Sequence, residues 1–160
     1  SDLKFTRLYF KDCYIDGTTD FIFGPSTALF EDCIIHSKRN SYVTAASTPK
    51  EAKYGYVFKH CKLTAEPGVD KVYLGRPWRP YAYTLFIECE LGKHIVPAGW
   101  HNWGKQSNEE TARYMEYKNT GEGANVSERV AWSKQLTKKE AEAVTVDAIF
   151  GTQSNWNPID

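Results

Sequence analysis

A six-residue frame recurs along this chain and constrains its fold more than any other feature. Phe10-Lys11-Asp12-Cys13-Tyr14-Ile15, Phe30-Glu31-Asp32-Cys33-Ile34-Ile35, Phe58-Lys59-His60-Cys61-Lys62-Leu63 and Phe86-Ile87-Glu88-Cys89-Glu90-Leu91 share one pattern. Each reads Phe, two residues usually polar, Cys, any residue, then Ile or Leu. Successive cysteines lie 20, 28 and 28 residues apart, and a degenerate fifth copy, Tyr114-Met115-Glu116-Tyr117-Lys118-Asn119, puts Tyr117 a further 28 residues on. Within a copy, Cys and the Ile/Leu are two residues apart and share one face of a strand. The Phe has the wrong parity for that strand, and a corner at the intervening pair would turn both inward.

Short β-branched or aromatic runs separate the copies: Phe21-Ile22-Phe23, Tyr42-Val43-Thr44, Val72-Tyr73-Leu74 and Ile95-Val96. Gly, Pro, Asn and Asp punctuate them, as turns require. Each copy thus reads as one coil of two or three short strands. An antiparallel sandwich is the alternative, but it gives no reason for one corner motif to recur in phase. A parallel solenoid does, because equivalent residues stack on rungs about 5 Å apart. The expected fold is therefore all-β, a right-handed parallel β-helix over residues 1–132, with a helical or irregular tail over 133–160 packed on it. In the tail, Thr137-Lys138-Lys139-Glu140 is a capping box, and Val146–Phe150 ends at the stop Gly151. The four cysteines become an inward column of small buried groups, expected as free thiols because no CxxC metal spacing occurs. An even count on adjacent rungs also permits disulfides.

Charge excludes several classes of function. Twenty basic residues balance 20 acidic ones. Residues 1–80 carry 12 Lys/Arg against 9 Asp/Glu, and residues 81–160 carry 8 against 11. No basic face for nucleic acid follows from this. No apolar run approaches the roughly 20 residues of a membrane span. The chain opens Ser1-Asp2-Leu3 with no charged, apolar leader in these residues. Its 10 Tyr, 8 Phe and 5 Trp are many amphipathic plates, suited to a core or to a groove that binds sugar rings.

Two charged residues stand out. Asp20, in Gly17-Thr18-Thr19-Asp20-Phe21-Ile22-Phe23-Gly24, begins an apolar strand between two glycines. A carboxylate among Phe and Ile is costly unless paired, so it is either a site residue or a turn aspartate facing water. Arg76, in Tyr73-Leu74-Gly75-Arg76-Pro77-Trp78, follows another apolar strand two rungs later, roughly 10 Å along the axis. It can reach Asp20 and hold it ionised through paired hydrogen bonds, in a site or in a purely structural ion pair. Trp78, Tyr81, Trp100 and Trp103 cluster in the loops after the third and fourth rungs, where they stack on a polymer or, for Trp103 in particular, pack as loop residues. There is no GxSxG elbow, P-loop or GxGxxG, and the four histidines lack ligand spacing.

The Asp20 stretch and Leu74-Gly75-Arg76-Pro77-Trp78 together resemble the pectin methylesterases, the carbohydrate esterases of homogalacturonan. The resemblance continues through Pro97-Ala98-Gly99-Trp100, Glu116–Gly121 and Arg129-Val130-Ala131-Trp132, and around His101–Gly104 it leans toward bacterial members. It implies a right-handed parallel β-helix, no metal and no organic cofactor, a secreted or periplasmic location, and methylesterified homogalacturonan as partner. By motif, Asp20 is expected as the nucleophile and Arg76 as its anchor. Trp78 and Trp100 are expected as substrate-stacking residues. Phe23 and Thr19 are expected to line the same cleft, although Thr19 is more often Val in the family.

One motif is missing. The family carries Gln-Asp-Thr-Leu about one rung before the Gly-x-x-Asp-Phe stretch, with its Asp as general acid and nearby glutamines supporting the oxyanion. Ser1–Arg7 hold no such motif, and neither Asp2 nor Asp12 matches it. The chain accordingly resembles the C-terminal part of an esterase, expected to be inactive alone and to self-associate through an exposed rung at residues 3–15. A non-catalytic β-helical glycan-binding module is the alternative.

Overall fold

A computed structural model describes residues 6–151; residues 1–5 and 152–160 lie outside the described residues, and with them the ends of the expected N-terminal rung and of the tail. The first rung is β1 (Arg7–Lys11), β2 (Tyr14–Gly17) and β3 (Ile22–Gly24). The second is β4 (Thr27–Glu31), β5 (Ile34–Ser37) and β6 (Tyr42–Ala46), and the third β7 (Tyr56–Lys59), β8 (Lys62–Ala65) and β9 (Tyr73–Gly75). The fourth rung has β10 (Tyr83–Ile87) and β11 (Glu90–Leu91). After them come α1 (Asn108–Thr111), β12 (Arg113–Tyr117), β13 (Lys134–Gln135), α2 (Lys138–Glu142) and α3 (Val146–Phe150). The strands form three parallel sheets, ordered β1-β4-β7-β10-β12-β13, β2-β5-β8-β11 and β3-β6-β9. This is the expected parallel β-helix.

The parity problem is solved by one backbone device. The residue before each cysteine, Asp12, Asp32, His60 or Glu88, adopts a left-handed conformation with φ between 49° and 55°. Asp tolerates this region better than most side chains. The reversal lets Phe at the end of one sheet and Cys at the start of the next both face inward. Each corner N–H also donates to the carbonyl one rung on, as Asp32 does to Lys59 at 3.1 Å and Glu88 to Tyr117 at 2.8 Å.

Columns result. The rings of Phe10, Phe30, Phe58 and Phe86 stack at 4.9, 4.5 and 4.4 Å, tilted by 10° or less. The thiols of Cys33, Cys61 and Cys89 donate to the carbonyls of Phe10, Phe30 and Phe58, respectively. All four cysteines are free. Burial pushes the Cys33 thiol up to about 11, and a hydrogen bond with Cys89 together with burial raises Cys61 further. Phe10, Cys13 and Ile15, in the outermost rung, are only partly buried, whereas their counterparts further along the columns are buried.

The fifth copy differs from its expected alignment. Phe86 pairs with Glu116 and Ile87 with Tyr117, so the true offset is 30 residues rather than 28. Lys118 is the left-handed corner (φ 46°), and Asn119 takes the cysteine position, its Oδ1 accepting the Cys89 N–H at 2.8 Å. The long excursion between β11 and β12 sets this register, and nothing in its length obliges it to keep the earlier period. The aromatic column therefore ends in a carboxylate. Arg129 meets Glu116 with a bidentate pair at 2.8 and 3.1 Å, with side chains 3% and 1% exposed. Arg129 also donates to the carbonyls of Pro97 and Gly123.

The central strands of the first sheet read as nearly continuous apolar runs because both faces are covered. Leu29, Val57 and Leu85 point outward and pack against Val144, Ile149 and Phe150 of the tail. The capping box at Thr137 opens α2 as expected, and Gly151 (φ 76°) ends α3. The tail thus lies along the solenoid's side. Before it, β13 extends the first sheet to Gln135, three residues past the expected boundary at 132.

Two outcomes test this architecture. Thiol titration without reductant is expected to count four thiols, with Cys13 reacting first and Cys33, Cys61 and Cys89 only slowly, because a buried thiol is seldom thiolate. Two or fewer titratable thiols would break the column. Arg129→Met strands a buried carboxylate and is expected to cost about 3–5 kcal/mol of unfolding free energy, read from the urea midpoint. An unchanged midpoint would mean that the ion pair does not close the column.

Candidate active site

The turn that carries Asp20 is pinned to the next rung. Lys38 N–H donates to the Gly17 carbonyl at 2.9 Å, the Ser41 hydroxyl to the Thr18 carbonyl, and Asp20 N–H to the Tyr42 carbonyl at 2.9 Å. Asp20 itself is left-handed, with φ 49°. From there β3 alternates: Ile22 enters the core and Phe23 points outward, 63% exposed. On the third rung, Arg76 and Trp78 leave β9 with their N–H groups bonded to the carbonyls of Thr44 and Ala46.

Asp20 and Arg76 meet across the two rungs. Nε donates to Oδ1 at 3.1 Å and Nη2 to Oδ2 at 2.6 Å, with side chains about one-fifth exposed. Paired charge-assisted bonds of this kind fix the plane of a carboxylate as well as its charge. The Arg76 guanidinium carbon lies 3.9 Å from the centroid of the Tyr42 ring and 3.9 Å from that of Trp103. Beside the pair, a cleft of about 370 Å³ is lined by Thr19, Asp20, Phe23, Ala45, Trp78 and Trp103. Phe23 and Trp78 meet edge to face at 6.0 Å across it. Asp20 is the only carboxylate among these lining residues. Among the described residues, no three His, Cys, Asp or Glu side chains come together as a metal site.

The structure brings Asp20, Arg76, Trp78, Phe23 and Thr19 to one place. Trp100 is a correction. It is 1% exposed, stacks on Tyr114 at 4.3 Å and points its indole N–H at Glu116, so no face of it is open to a sugar. The reason is its column: Trp100 bridges Gly75, whose lack of a side chain leaves room for the indole. A Cβ at Gly75 would sit 2.2 Å from Thr44 Oγ1 and 3.3 Å from the Trp100 ring. Trp103, expected as loop packing, lines the cleft together with Trp78 and is 38% exposed. Tyr42 was legible only through the rung register. It lies 22 residues beyond Asp20, the same offset that pairs Ile22 with Thr44.

The described residues thus form a parallel β-helix that sets an arginine-anchored carboxylate beside an aromatic cleft, and comparison with known proteins places this chain in a family. A family model described as pectinesterase matches residues 3–153, and the chain belongs to that family. It is 45% identical to Pectinesterase 31 of Arabidopsis thaliana over 84% of this chain and 43% of that protein. It superimposes on a pectin methylesterase from carrot with a TM-score of 0.86 and 33% identity, covering 95% of this chain and 52% of that one. A solved pectin methylesterase in complex with hexasaccharide VII matches with a TM-score of 0.79 and 30% identity, over 96% and 52% of the two chains. The chain thus spans about half the length of these relatives. A pectin methylesterase from Erwinia chrysanthemi matches with a TM-score of 0.79 and 30% identity, over 96% and 52% of the two chains, so both plant and bacterial proteins are among the matches.

Proposed function

We propose that Asp20 is the nucleophile of a pectin methylesterase site and attacks the C6 methyl-ester carbonyl of galacturonate in methylesterified homogalacturonan. The observation that carries this reading is the bidentate Arg76–Asp20 pair opening onto the Phe23/Trp78/Trp103 cleft. An Asp20 oxygen bonds to the carbonyl carbon and the carbonyl oxygen becomes an oxyanion. Collapse breaks the bond to methoxide, which leaves as methanol once an acid protonates it. Water then hydrolyses the acyl-enzyme, restoring Asp20 and releasing the galacturonate carboxylate. Arg76 orients the attacking carboxylate, and the three exposed aromatic faces suit the flat apolar sides of sugar rings. The hexasaccharide bound by the structural relative supports an oligosaccharide in this cleft. Such a substrate is met in a secreted or periplasmic setting.

The leaving methoxide needs an acid, and the oxyanion needs donors. The family's Gln-Asp-Thr-Leu motif does not occur in the chain, and the cleft offers Asp20 alone as a carboxylate. Losing oxyanion donors costs about a hundred- to a thousand-fold, and losing the acid about a hundred-fold or more. The 160 residues by themselves are therefore a binding and nucleophile half-site. Among the described residues, the partly buried Phe10 and Ile15 border an apolar hollow of about 270 Å³ beside β1 and β3, and self-association through it is part of the proposal.

Three measurements on one sample test the proposal. Methanol release from highly methylesterified pectin is expected to fall about ten-thousand-fold or more below that of an intact pectinesterase. A methylesterified oligogalacturonide is expected to quench tryptophan fluorescence, with Trp78→Ala weakening binding roughly tenfold through loss of a stacking face. Light scattering is expected to show association that Phe10→Asp suppresses. Turnover near that of an intact enzyme would place the acid within these residues. Absence of binding would remove the cleft as the pectin site. In any form that releases methanol, Asp20→Asn is expected to lower the rate by several orders of magnitude, and a near-normal rate would take the nucleophile's role from Asp20.

A further inference from the structure

We propose that Tyr42 and Trp103 are positioning residues that clamp the Arg76 guanidinium from both faces, and that His101 ties the two jaws together. The catalytic consequence rests on Asp20 being the nucleophile; the clamp itself is geometry. Two rings whose centroids each lie 3.9 Å from the guanidinium carbon cannot share one face of it, so they flank it. The bidentate bonds to Asp20 occupy its edge. Edge and both faces are then engaged, and the plane of the guanidinium, which sets the plane of the carboxylate, has no free rotation left. Cation–π contact is strongest where water is excluded, and Arg76 is only about one-fifth exposed.

Each jaw is held from behind. Tyr42 stacks on Tyr73 at 5.3 Å, and the His101 ring meets both edge-on, at 5.5 and 5.2 Å. Trp103 adopts φ 64°, a conformation that a bulky side chain avoids unless its surroundings enforce it. The enforcement is visible. Trp103 N–H donates to His101 Nδ1 at 3.0 Å, Gly104 N–H to Asn102 Oδ1 at 2.8 Å, and Asn102 Nδ2 to Glu109 at 2.8 Å. His101 thus touches one jaw with its ring and holds the backbone of the other.

That bond requires a neutral imidazole with its proton on Nε2. Burial, and then the nearby Arg76 charge, lower the His101 pKa below its ordinary 6.5. The groups that face it are the Arg76 cation and the Tyr42 and Tyr73 rings, with the Asp20 charge already paired to Arg76 and Glu109 engaged by Asn102. Because the folded pKa is depressed, the contribution of His101 is fully present above about pH 6.5. It is lost as pH falls through the folded value, when Nδ1 becomes a donor facing a donor.

The test reads Arg76 directly, without turnover, as solvent exchange of its Nε–H by ¹⁵N NMR, corrected for the intrinsic pH dependence of exchange. Tyr42→Leu and Trp103→Leu are each expected to speed exchange at least tenfold, while Tyr42→Phe, which keeps the ring, leaves it unchanged. In the unsubstituted chain, protection is expected to fall on acidification below pH 6.5. His101→Gln, whose amide oxygen can still accept the Trp103 N–H, is expected to keep protection and lose that pH dependence. Unchanged exchange in both leucine variants, or wild-type pH dependence in His101→Gln, would overturn the clamp. Should the leucine variants fail to fold, the pH dependence of His101→Gln decides the question, with Tyr42→Phe as the folded control. Failure to bind the oligogalacturonide with Arg76 still protected would sink the functional reading and leave the clamp standing.

Discussion

The left-handed corner ahead of each cysteine is the constraint on which the rest of this molecule hangs. Without it, Phe and Cys three residues apart would fall on opposite faces of one strand, and half of the frame would point at water. With it, two sheets share one interior, and every equivalent residue lands in a column. In-register stacking then carries energy in small equal steps: ring on ring, thiol on carbonyl, amide on carbonyl. It also carries geometry. Asp20 and Arg76 are 56 residues apart in sequence, yet their partners are fixed because each is bonded to the rung between them.

The columns end differently at the two ends. Toward the C-terminus, the Phe position is taken by Glu116, its charge answered by Arg129, and Trp100 and Tyr114 fill the space where the Phe stack stops. A carboxylate cannot continue an aromatic stack, and a buried ion pair with further carbonyl partners is a specific way to finish one. At the other end, Phe10 offers one ring face with no described aromatic partner beyond it, and the three sheets end on β1, β2 and β3.

Much of this was readable from residue spacing. The recurring frame announced parallel rungs, the wrong parity of Phe announced the corner, and the capping box announced α2. The site was half readable, because motif position says which loop a residue occupies and not which face it shows. Trp100 and Trp103 are three residues apart in one loop, and it is Trp100 that is buried and Trp103 that borders the cleft. Trp100 follows Ile22, Thr44 and Gly75 down an inward column, which only strand register reveals. Tyr42 carried no motif at all. Its role comes from lying over Asp20 one rung on. The slipped alignment of Glu116 has the same origin, since an insertion in a loop changes the period without changing the local pattern.

The backbone offers an independent pointer to the site. Seven non-glycine residues among those described have positive φ: Asp12, Asp20, Asp32, His60, Glu88, Trp103 and Lys118. Five of them are the corners, where the conformation is the price of the fold. The remaining two, Asp20 and Trp103, serve no corner, and they meet the same guanidinium from different directions. Asp tolerates a left-handed backbone; Trp does so only under constraint. Each is held by a bond to its main-chain N–H, from the Tyr42 carbonyl in one case and from His101 in the other. Strain that the architecture does not need, held by dedicated hydrogen bonds and placed on both sides of one charge, is what the role proposed for Asp20 would require.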